Sequence, residues 1–463
     1  MNILYIGAGF VGTCSAAISA DSGHNTLVFD IDRNKITVFD AMDRNAIDAC
    51  IFEDGLTDLI VRHKERLRFT FEYSDVLAFL DNCDAVFLCL PTPEIGETGE
   101  SDLKYFIAAC EQLAVACAKR NKRKQTKYIT VVTKSTVPID IFDKLETIFF
   151  EHGVREYGIA SNPEFLVEGK AIQGSLKPDR IVVGAWKQSD FNVMRLVYQR
   201  FYDSADIQYI EVNPKEAAAG KLLSNFYLFA KLAICFDVIG RTCETFDQVH
   251  FENIRKILTT DDRIGTWGFY NSLYAGGSCF IKDARSLSHQ IQLSGTSATL
   301  INEINLANRG QLEKFIGRAN KEAGWNWSGK TVALLGTAFK RDTNDIRNSP
   351  SIDLMEFLLQ ENVKNIYVYD PIALIEFKKI FPASDIVVYV NQENDAVEKA
   401  DAIIIATDWP QFRGLSQTLL QSSGAGKLIM DGRRMLQHAY NDLKGLGYSI
   451  LAVGSPFISG RQK

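Results

Sequence analysis

The chain has little net charge and no long uninterrupted hydrophobic run. Its 463 residues include 51 lysines and arginines against 57 aspartates and glutamates, a formal charge of -6. So mild a charge gives no reason to expect a nucleic-acid or membrane-surface partner. The longest apolar stretch, "FYLFAKLAICFDVI", contains Lys231 and Asp237 and is shorter than the roughly 20 residues that a membrane span needs. We interpret it as a buried helix and predict no membrane partner.

The cysteines are too scattered to form a structural framework. Nine occur, without a CxxC pair or any metal-ligand spacing. This usage fits a reducing compartment rather than a disulfide scaffold, and it predicts no metal site. The sequence opens on "MNILYIGAG", with neither a basic segment nor a cleavage site, so we expect no secretory signal and a cytoplasmic protein. Eight of the cysteines are expected to be structural, since a thiol packs like a small hydrophobe.

Short β-branched runs alternate with helical stretches in both halves of the chain. The first six strand candidates are "ILYIGAG", "TLVFDID", "AVFLCLPTP", "YITVVTKSTVP", "GIASNPEF" and "RIVVG". From about Asn213 to Arg309 apolar residues recur at helical spacing instead, and after Gly329 the first pattern resumes. The later candidates are "TVALLG", "IYVYD", "IVVYV", "AIIIAT", "KLIMDG" and "SILAVG". We predict an α/β protein with two Rossmann-like doubly wound domains joined by a central helical domain. The expected domain ranges are 1–210, 211–325 and 326–463.

The stretch "IGAGFVG" predicts a dinucleotide site. It places Gly7, Gly9 and Gly12 in the G-x-G-x-x-G spacing between a predicted strand and an apolar helix. These glycines allow a tight turn, close approach of the backbone to a pyrophosphate, and close packing of helix on strand. The next strand ends in Asp30, where an acid can bind the ribose hydroxyls and disfavours the extra phosphate of NADP. The alternative is a plain turn with Asp30 capping the next helix, and the charged residues that follow leave NADP open.

Other polar residues stand at predicted strand ends. "CLPTP" and "KSTVP" bring Thr92 and Thr136 to the edge of the sheet where ligands of such folds bind. The second α/β half begins "LLGTAFKRDTNDIRNSP", which lacks the glycine pattern and carries Lys340, Arg341 and Arg347. A basic loop of this kind suits the phosphates of a nucleotide-like ligand. The alternatives are turns shaped by proline and a solvated charged loop.

The stretch "YAGGSCFIKD", residues 274–283, contains a candidate nucleophile. Its two glycines allow a tight turn, Ser278 is the predicted N-cap, and Cys279 would open a helix with Lys282 and Asp283 on its own face. A helix N-terminus and a nearby cation both favour the thiolate. A thiol beside NAD points to covalent oxidation, in which an aldehyde adds to sulfur, the hemithioacetal loses hydride, and water hydrolyses the thioester to a carboxylate. The alternative is a buried cysteine at a helix start.

Two pairs of residues spaced four apart are further candidates. "SNPEFLVEG" carries Glu164 and Glu168, which share a face if the segment is helical. A carboxylate near a thioester can order or deprotonate the attacking water, although a capping acid plus a surface acid fits the sequence equally well. Lys221 and Asn225 stand on a predicted apolar helix. Such a lysine either reaches toward solvent or points at developing negative charge.

Together these segments resemble the UDP-glucose/GDP-mannose dehydrogenase family over essentially the whole chain. The matching segments, in order, are "IGAGFVG", "TLVFD", "FEDGL", "PTP", "KSTVP", "SNPEFLVEG", "KPDRIVVG", "KLLSN", "RIG", "GGSCFIKD", "GTAFKRDTNDIRNSPS", "YDP", "ATDW" and "DGRR". The resemblance implies NAD-dependent oxidation of the C6 primary alcohol of a nucleotide sugar to a carboxylate, with two hydride transfers per sugar. It also implies a homodimer or higher homo-oligomer with the central helical domain at the interface.

The resemblance implies catalytic roles for six residues. Cys279 is similar to the thioester nucleophile of the family, and Lys221 to the group that stabilises oxyanion character. Asp283 resembles the acid that assists water or lysine. The hydrolytic water is implied to be positioned by Thr136 and Glu164. Asn225 is implied as a further contact of substrate and water.

The resemblance also implies two sets of binding residues. The implied sugar-nucleotide contacts are Glu164, Phe165, Leu166, Glu168, Lys221, Asn225, Arg263, Gly276, Lys340 and Arg433. Among them, Arg263 resembles the residue that reaches the substrate of the neighbouring subunit. The implied NAD contacts are Gly7, Gly9, Phe10, Val11, Gly12, Asp30, Lys35, Thr92, Thr136, Glu168 and Arg347.

A few positions depart from the family pattern. "FEDGL" has Asp54 where proline is usual, "YAGGSC" has Ala275 where an aromatic is common, and the preceding "TWGFYNSLY" is unusual. Because that last stretch lines the sugar pocket in relatives, it leaves GDP-mannose or a UDP-N-acetylhexosamine open. "NPEF" followed by "KPDRIVVG" favours UDP-glucose. The rival functions are a single-step β-hydroxyacid dehydrogenase, which has no second α/β domain, and a nucleotide-sugar binding protein without catalysis.

Overall fold

The structure, a computed structural model, describes residues 1–121 and 127–460 and divides into two compact units. The first unit comprises Met1–Ser224 with His289–Gly295, and the second comprises Asn225–Ser288 with Thr296–Lys463. The three domain ranges expected from the sequence stay a prediction.

The first unit is built on an eight-stranded sheet. Its strands are β1 (Asn2–Ile6), β2 (Asn25–Phe29), β3 (Leu67–Thr70), β4 (Ala85–Leu88), β5 (Ile129–Thr133), β6 (Tyr157–Ser161), β7 (Arg180–Ala185) and β8 (Gln208–Val212). Their order is β3-β2-β1-β4-β5-β6-β7-β8, with β1 to β6 parallel and β7 antiparallel to β6. The order of the first six strands is that of dinucleotide-binding sheets, whose ligands lie at the carboxyl ends of the strands.

The central strands are apolar along their length because both faces of the sheet are covered. On β1, Tyr5 belongs to one buried cluster together with Cys14, and Leu4 belongs to another together with Phe106. Successive side chains of a strand point to opposite faces, so these two clusters are the two core layers of the unit.

Two strands of this sheet, β3 and β8, were not among the strand candidates. Both lie at the edges of the sheet, and both carry charged residues, Arg68 and Glu211. Edge strands commonly carry charge because one side of their backbone has no neighbouring strand. The short, polar-interrupted runs "LRFT" and "QYIEV" therefore lack the apolar signature by which the other six were recognised.

The second unit contains a six-stranded parallel sheet. Its strands are β9 (Thr331–Leu335), β10 (Asn365–Tyr369), β11 (Val387–Tyr389), β12 (Ala402–Ile405), β13 (Leu428–Asp431) and β14 (Ser449–Ala452). Their order, β11-β10-β9-β12-β13-β14, is again the doubly wound order. All six strands had been predicted, and two Rossmann-like sheets with a helical middle segment confirm the predicted fold class.

Helices connect the strands and fill the middle of the chain. Up to β8 the α-helices are Phe10–Asp21, Arg33–Asp40, Arg44–Cys50, Leu56–Arg62, Tyr73–Leu80, Lys104–Asn121, Ile141–Glu151, Ala171–Leu176, Gln188–Val197 and Gln199–Tyr202. Between β8 and β9, where every residue is described and no strand occurs, they are Pro214–Ala233, Arg241–Thr245, Phe251–Thr259, Phe280–Leu293 and Thr299–Ala323, with a π-helix at Ile234–Gly240. After β9 they are Pro350–Gln360, Leu374–Ile380, Glu393–Lys399, Leu415–Leu419 and Tyr440–Gly445, with 3₁₀ turns at Pro410–Gly414 and Gln437–Ala439.

Within the described residues, one helical run is long and apolar enough to cross a membrane by length and composition. It spans Pro214–Thr245, with a mean hydropathy of 1.7 over its best 18-residue window. A single run of this kind is weak evidence for a membrane span, because the core helices of soluble proteins pass the same test.

Candidate active site

The glycine loop after β1 forms the turn that its spacing predicts. Gly7 has a φ of 108°, and a Cβ there would lie 2.3 Å from the Cys89 carbonyl oxygen. A Cβ on Gly12 would lie 1.9 Å from the Gly7 carbonyl oxygen, so glycine is required for helix Phe10–Asp21 to begin this close to the strand. A Cβ on Gly9, in contrast, would meet no described atom within 4 Å. Gly9 therefore faces open space at a helix N-terminus, which fits a pyrophosphate.

Asp30 follows the last residue of β2. Its carboxylate accepts a hydrogen bond of 2.7 Å from the Ala8 N–H and lies 3.9 Å from Lys35 Nζ. The cap of the next helix, Arg33–Asp40, is Asp32, which accepts from the Lys35 N–H at 3.1 Å. The alternative interpretation of Asp30 as that cap is therefore wrong. Asp30 instead borders the glycine loop, at the position where an acid can hold a ribose.

The other predicted NAD contacts of the first unit lie beside neighbouring strand ends. Thr92 follows β4 and Thr136 follows β5, and the Thr92 hydroxyl donates to the Thr136 carbonyl oxygen at 2.7 Å. Phe10 and Val11 form the first turn of the helix after the glycine loop, and both are partly buried. These positions surround the carboxyl edge of the sheet, so the residues present fit a bound dinucleotide.

A buried ion pair joins two of the predicted catalytic residues. Glu164 Oε1 lies 3.0 Å from Lys221 Nζ, and the two side chains are 11% and 5% exposed. Burial raises the pKa of Glu164, but the Lys221 charge and a hydrogen bond from the Leu166 N–H outweigh it, so the pKa lies below its usual value. Glu164 is therefore a carboxylate at neutral pH, the form that can accept a proton from water.

The segment that carries Glu164 is not helical. The next helix begins at Ala171, and residues 162–167 have no regular secondary structure. The condition under which Glu164 and Glu168 would share a helix face is therefore not met. The Glu164 side chain accepts from the N–H two residues later, at Leu166, and a local bond of this kind competes with helix formation. Glu168 lies farther along the same loop and is partly buried.

Two cations of the first unit lie close to the ring of Phe165. The Arg180 guanidinium carbon lies 3.9 Å from the ring centroid, and Lys221 Nζ lies 5.3 Å from it. A cation over an aromatic face is favoured electrostatically. The ring therefore fixes the loop beside Lys221, while Leu166 packs against the buried cluster that contains Tyr5.

Cys279 is exposed and immediately precedes helix Phe280–Leu293 in the second unit. Its carbonyl oxygen accepts the N–H of Asp283 at 2.9 Å, which is the first hydrogen bond of the helix. Cys279 is therefore itself the N-cap, and the prediction of Ser278 at that position is wrong by one residue. The positive end of the helix dipole still lies at the cysteine, where it favours a thiolate.

The remaining cysteines differ from Cys279 in exposure. Seven of the other eight are buried, and Cys50 is exposed. Burial raises the pKa of Cys83 and of Cys89 to about 12 each, so these thiols stay protonated. Cys50 offers an exposed cysteine outside the predicted site.

Asp283 is buried one helical turn after the cysteine. Its two carboxylate oxygens accept hydrogen bonds from Lys282 Nζ and Asn225 Nδ2, each at 2.6 Å. The predicted catalytic residues Asp283 and Asn225 are thus brought together within the second unit. Such charge-assisted bonds fix the carboxylate in one orientation.

The glycine pair before Cys279 packs against the basic loop that follows β9. A Cβ on Gly276 would lie 2.2 Å from the Asn348 carbonyl oxygen, and one on Gly277, whose φ is 87°, would lie 2.9 Å from the Phe339 ring. The Asn348 side chain donates to the Gly277 carbonyl at 2.9 Å, and the Gly277 N–H donates to the Arg347 carbonyl at 3.1 Å. Glycine at both positions therefore allows this loop to approach the cysteine segment.

Arg433 is anchored by backbone carbonyls. Its guanidinium donates to the carbonyl oxygens of Ala406 at 2.9 Å and Phe339 at 2.8 Å. Desolvation by the surrounding protein lowers its pKa. A guanidinium held in this way beside strand ends can face a phosphate without rearrangement.

Three other predicted contacts are basic residues near the surface. The exposed Arg347 pairs with Asp345 at 2.7 Å, and Lys340 Nζ lies 5.7 Å from the ring centroid of its neighbour Phe339. The side chain of Arg263 is 89% exposed and pairs with Asp261 at 2.7 Å. Over residues 1–121 and 127–460, no group of histidine, cysteine, aspartate and glutamate could hold a metal ion.

Glu53 is a residue of the site region that the sequence did not single out. Its buried carboxylate accepts the N–H of Gly169 at 2.8 Å and of Ala171 at 2.7 Å. It thereby anchors the far end of the loop that carries Glu164. The only sequence signal was its place in "FEDGL", which gives no hint of a partner more than a hundred residues away.

Asp370 was also not singled out, although it follows β10 as Asp30 follows β2. It is buried and accepts hydrogen bonds from the N–H of Thr337 at 2.7 Å, the N–H of Ala373 at 2.8 Å and Trp409 Nε1 at 3.0 Å. The second sheet thus uses its corresponding acid to hold its own loops.

Comparisons with known proteins agree with this geometry. Three domains of the UDP-glucose/GDP-mannose dehydrogenase family match the chain: the NAD binding domain at residues 1–202, the central domain at 215–310 and the UDP binding domain at 333–438. The chain belongs to this family. It is a nucleotide-sugar dehydrogenase with NAD as cofactor, and the glycine loop and Asp30 lie within the matched NAD binding domain.

Individual relatives are similar over nearly the full length. The UDP-glucose 6-dehydrogenase of Pseudomonas aeruginosa is 30% identical over 464 residues, which cover 98% of each chain. The UDP-glucose 6-dehydrogenase of Haloferax volcanii is 31% identical over 457 residues, covering 97% of this chain and all of the relative. A solved UDP-glucose dehydrogenase from Pyrobaculum islandicum superposes with a TM-score of 0.83 at 28% identity, covering 94% of each chain.

Proposed function

We propose that this dehydrogenase oxidises UDP-glucose to UDP-glucuronate through a thioester on Cys279. The observation that carries the proposal is the setting of Cys279, an exposed thiol at a helix N-terminus one turn before the fixed carboxylate of Asp283. The names of the relatives support UDP-glucose as the sugar nucleotide. GDP-mannose and a UDP-N-acetylhexosamine are the alternatives within the same chemistry.

The proposed reaction consists of two oxidations and one hydrolysis. The C6 alcohol becomes an aldehyde, the Cys279 sulfur adds to that carbonyl carbon, and the hemithioacetal loses a second hydride to become a thioester. NAD, when bound, accepts one hydride in each oxidation, so two NADH form per sugar. Lys221 stabilises the negative charge that develops on the C6 oxygen. Water then cleaves the C–S bond, giving the carboxylate and returning the thiol.

The final hydrolysis needs an oriented water. We assign this role to Glu164, whose lowered pKa keeps it ionised, together with Thr136. Asp283 and Asn225 act as a hydrogen-bonded pair in the second unit, and we assign them to orienting substrate or water. We further propose that Glu168, Phe165 and the basic residues of the second unit bind the sugar nucleotide, and that the protein is a cytoplasmic homodimer or larger homo-oligomer.

The test counts NADH against sugar nucleotide consumed. The full chain is given excess NAD and UDP-glucose, GDP-mannose or a UDP-N-acetylhexosamine in parallel, and we expect two NADH per sugar with the highest kcat/KM for UDP-glucose. Cys279→Ser should stall turnover while NAD still binds, and Cys50→Ser, the matched exposed cysteine, should keep full activity. One NADH per sugar would indicate a single-step dehydrogenase, and full activity of Cys279→Ser would refute the thioester.

A further inference from the structure

A buried lysine, Lys134, stands directly after β5, two residues before Thr136. Only 8% of it is exposed. Its ammonium donates to Asn162 Oδ1 at 2.8 Å and to the Tyr198 hydroxyl at 3.3 Å, so both of these hydrogen-bond partners are neutral. A buried cation costs free energy unless charge or dipoles compensate it. Packing alone therefore does not explain why a lysine occupies this buried position.

The partner of Lys134 lies at the end of the neighbouring strand. Asn162 directly follows β6, is 1% exposed, and is itself fixed by donating to the Val182 carbonyl at 2.8 Å. Two residues after Asn162 comes Glu164, just as Thr136 comes two residues after Lys134. The hydrogen bond from Lys134 to Asn162 therefore joins the start of the two segments that carry the water-positioning residues.

Lys134 also acts on Glu164 through its charge. Burial raises the pKa of the Glu164 carboxyl, the adjacent Lys221 lowers it most, and the charge of Lys134 lowers it further. The two side chains line the same cavity of about 360 Å³ in the first unit. The other titratable or charged groups that line this cavity are Tyr5, Lys170, Lys177, Asp179, Arg180 and Tyr198. Lys170, Lys177 and Asp179 are exposed, so solvent screens their effect on Glu164.

We propose that Lys134 is a positioning residue for thioester hydrolysis: it holds the ends of β5 and β6 in register, so that Thr136 and an ionised Glu164 meet the same water. This inference rests on the proposed function. It assigns Lys134 no contact with the sugar or with NAD. Its loss should therefore slow hydrolysis and leave the first oxidation largely intact.

Three variants of the full chain separate charge from geometry. Lys134→Gln keeps a donor for Asn162 but removes the charge, Lys134→Arg keeps both, and Lys134→Met removes both. Lys187→Gln is the matched control, since this lysine of the same unit is exposed, donates to the backbone carbonyl of Tyr157 and lies over the ring of Tyr157. The measurements are the pH dependence of kcat and the amount of sugar adduct on the protein by intact mass during turnover.

We expect the acidic limb of the kcat profile to move up by roughly half a pH unit or more in Lys134→Gln, because Glu164 then protonates more readily. The adduct should accumulate in Lys134→Gln and Lys134→Met, kcat should fall more than KM rises, and Lys134→Arg should restore both readouts. Lys187→Gln should match the wild type. If Lys134→Met does not fold, Lys134→Gln and Lys134→Arg give the same comparison.

Two outcomes separate this inference from the function on which it rests. A wild type that makes two NADH per sugar, with a Lys134→Gln variant that shows the wild-type pH limb and no added adduct, overturns the role of Lys134 alone. A wild type that makes one NADH per sugar overturns the proposed function itself.

Discussion

We expect the buried ion pair between Lys221 and Glu164 to stabilise the first unit in a pH-dependent way. The two charged atoms lie 3.0 Å apart, and their side chains are 5% and 11% exposed. Removing one partner of a buried pair leaves an uncompensated charge and costs about 3–5 kcal/mol. In Lys221→Met the hydrogen bond from the Leu166 N–H to Glu164 remains, so we expect a loss near the lower end, about 3 kcal/mol.

The pH dependence follows from the lowered pKa of Glu164. A carboxyl whose folded pKa lies below its unfolded value adds stability above the unfolded pKa, and that stability disappears as the pH falls through the folded pKa. In Lys221→Met the charge that lowers the pKa of Glu164 most is absent, so this pKa rises. The difference in stability between wild type and variant should therefore be large near neutral pH and shrink in acid, where Glu164 is protonated in both.

The assay is a double-mutant cycle of Lys221→Met, Glu164→Gln and the combined variant. Because two units can unfold separately, local stability is read from hydrogen exchange of peptides covering β5 and β6. Lys215→Met is the control: this lysine lies in the first turn of the same helix but pairs with Asp143 at the surface, where loss of a pair costs below about 1 kcal/mol. Additive single effects, with coupling under about 0.5 kcal/mol, or a loss that does not vary with pH, would refute the reasoning.

Two further predictions concern the loops around the sheet. Glu53→Ala leaves the N–H groups of Gly169 and Ala171 without their carboxylate acceptor and should lower the free energy of unfolding by about 3 kcal/mol. Glu53→Gln should be intermediate. Equal stability of the wild type and both variants would contradict the anchoring role. Gly12→Ala places a methyl group against a backbone oxygen and should lower Tm sharply, whereas Gly9→Ala should keep Tm but weaken NAD binding at least about tenfold by calorimetric titration. An unchanged Tm in Gly12→Ala would show that the turn is not tight.

The core of the fold was readable from sequence because both sheets are parallel and covered on both faces. Strands such as β4 and β12 are continuous apolar runs, which turn residues separate from helices. The edge strands β3 and β8 could not be recognised from sequence, because polar residues are mixed with the apolar ones in both. Arg68 and Glu211 interrupt the runs at the places where an edge tolerates charge.

The site could be predicted only where its parts are close in sequence. The conformations of the glycine loop and of the cysteine segment are each determined by about ten consecutive residues. In the cysteine segment the structure places the N-cap one residue later than the sequence predicts. The roles of Lys134 and Glu53 depend instead on Asn162 and Gly169, which lie 28 and 116 residues farther along the chain. No periodicity links such partners. The loop at Glu164 could not be predicted from the spacing of apolar residues, because a side-chain bond to the backbone leaves no trace in that spacing.

The carboxylate of Asp370, whose oxygens already accept hydrogen bonds from the protein, indicates why the two sheets differ in their ability to bind a dinucleotide. The first six strands of the first sheet and the six strands of the second share one order, yet only the acid after β2 stands beside an open glycine turn. The acid after β10 accepts hydrogen bonds from the loops that follow β9, β10 and β12. A second nicotinamide site engineered into the carboxyl-terminal half would require Asp370 to lose these hydrogen bonds. The loop after β9 would then lose the bond from the Thr337 N–H that holds it in place.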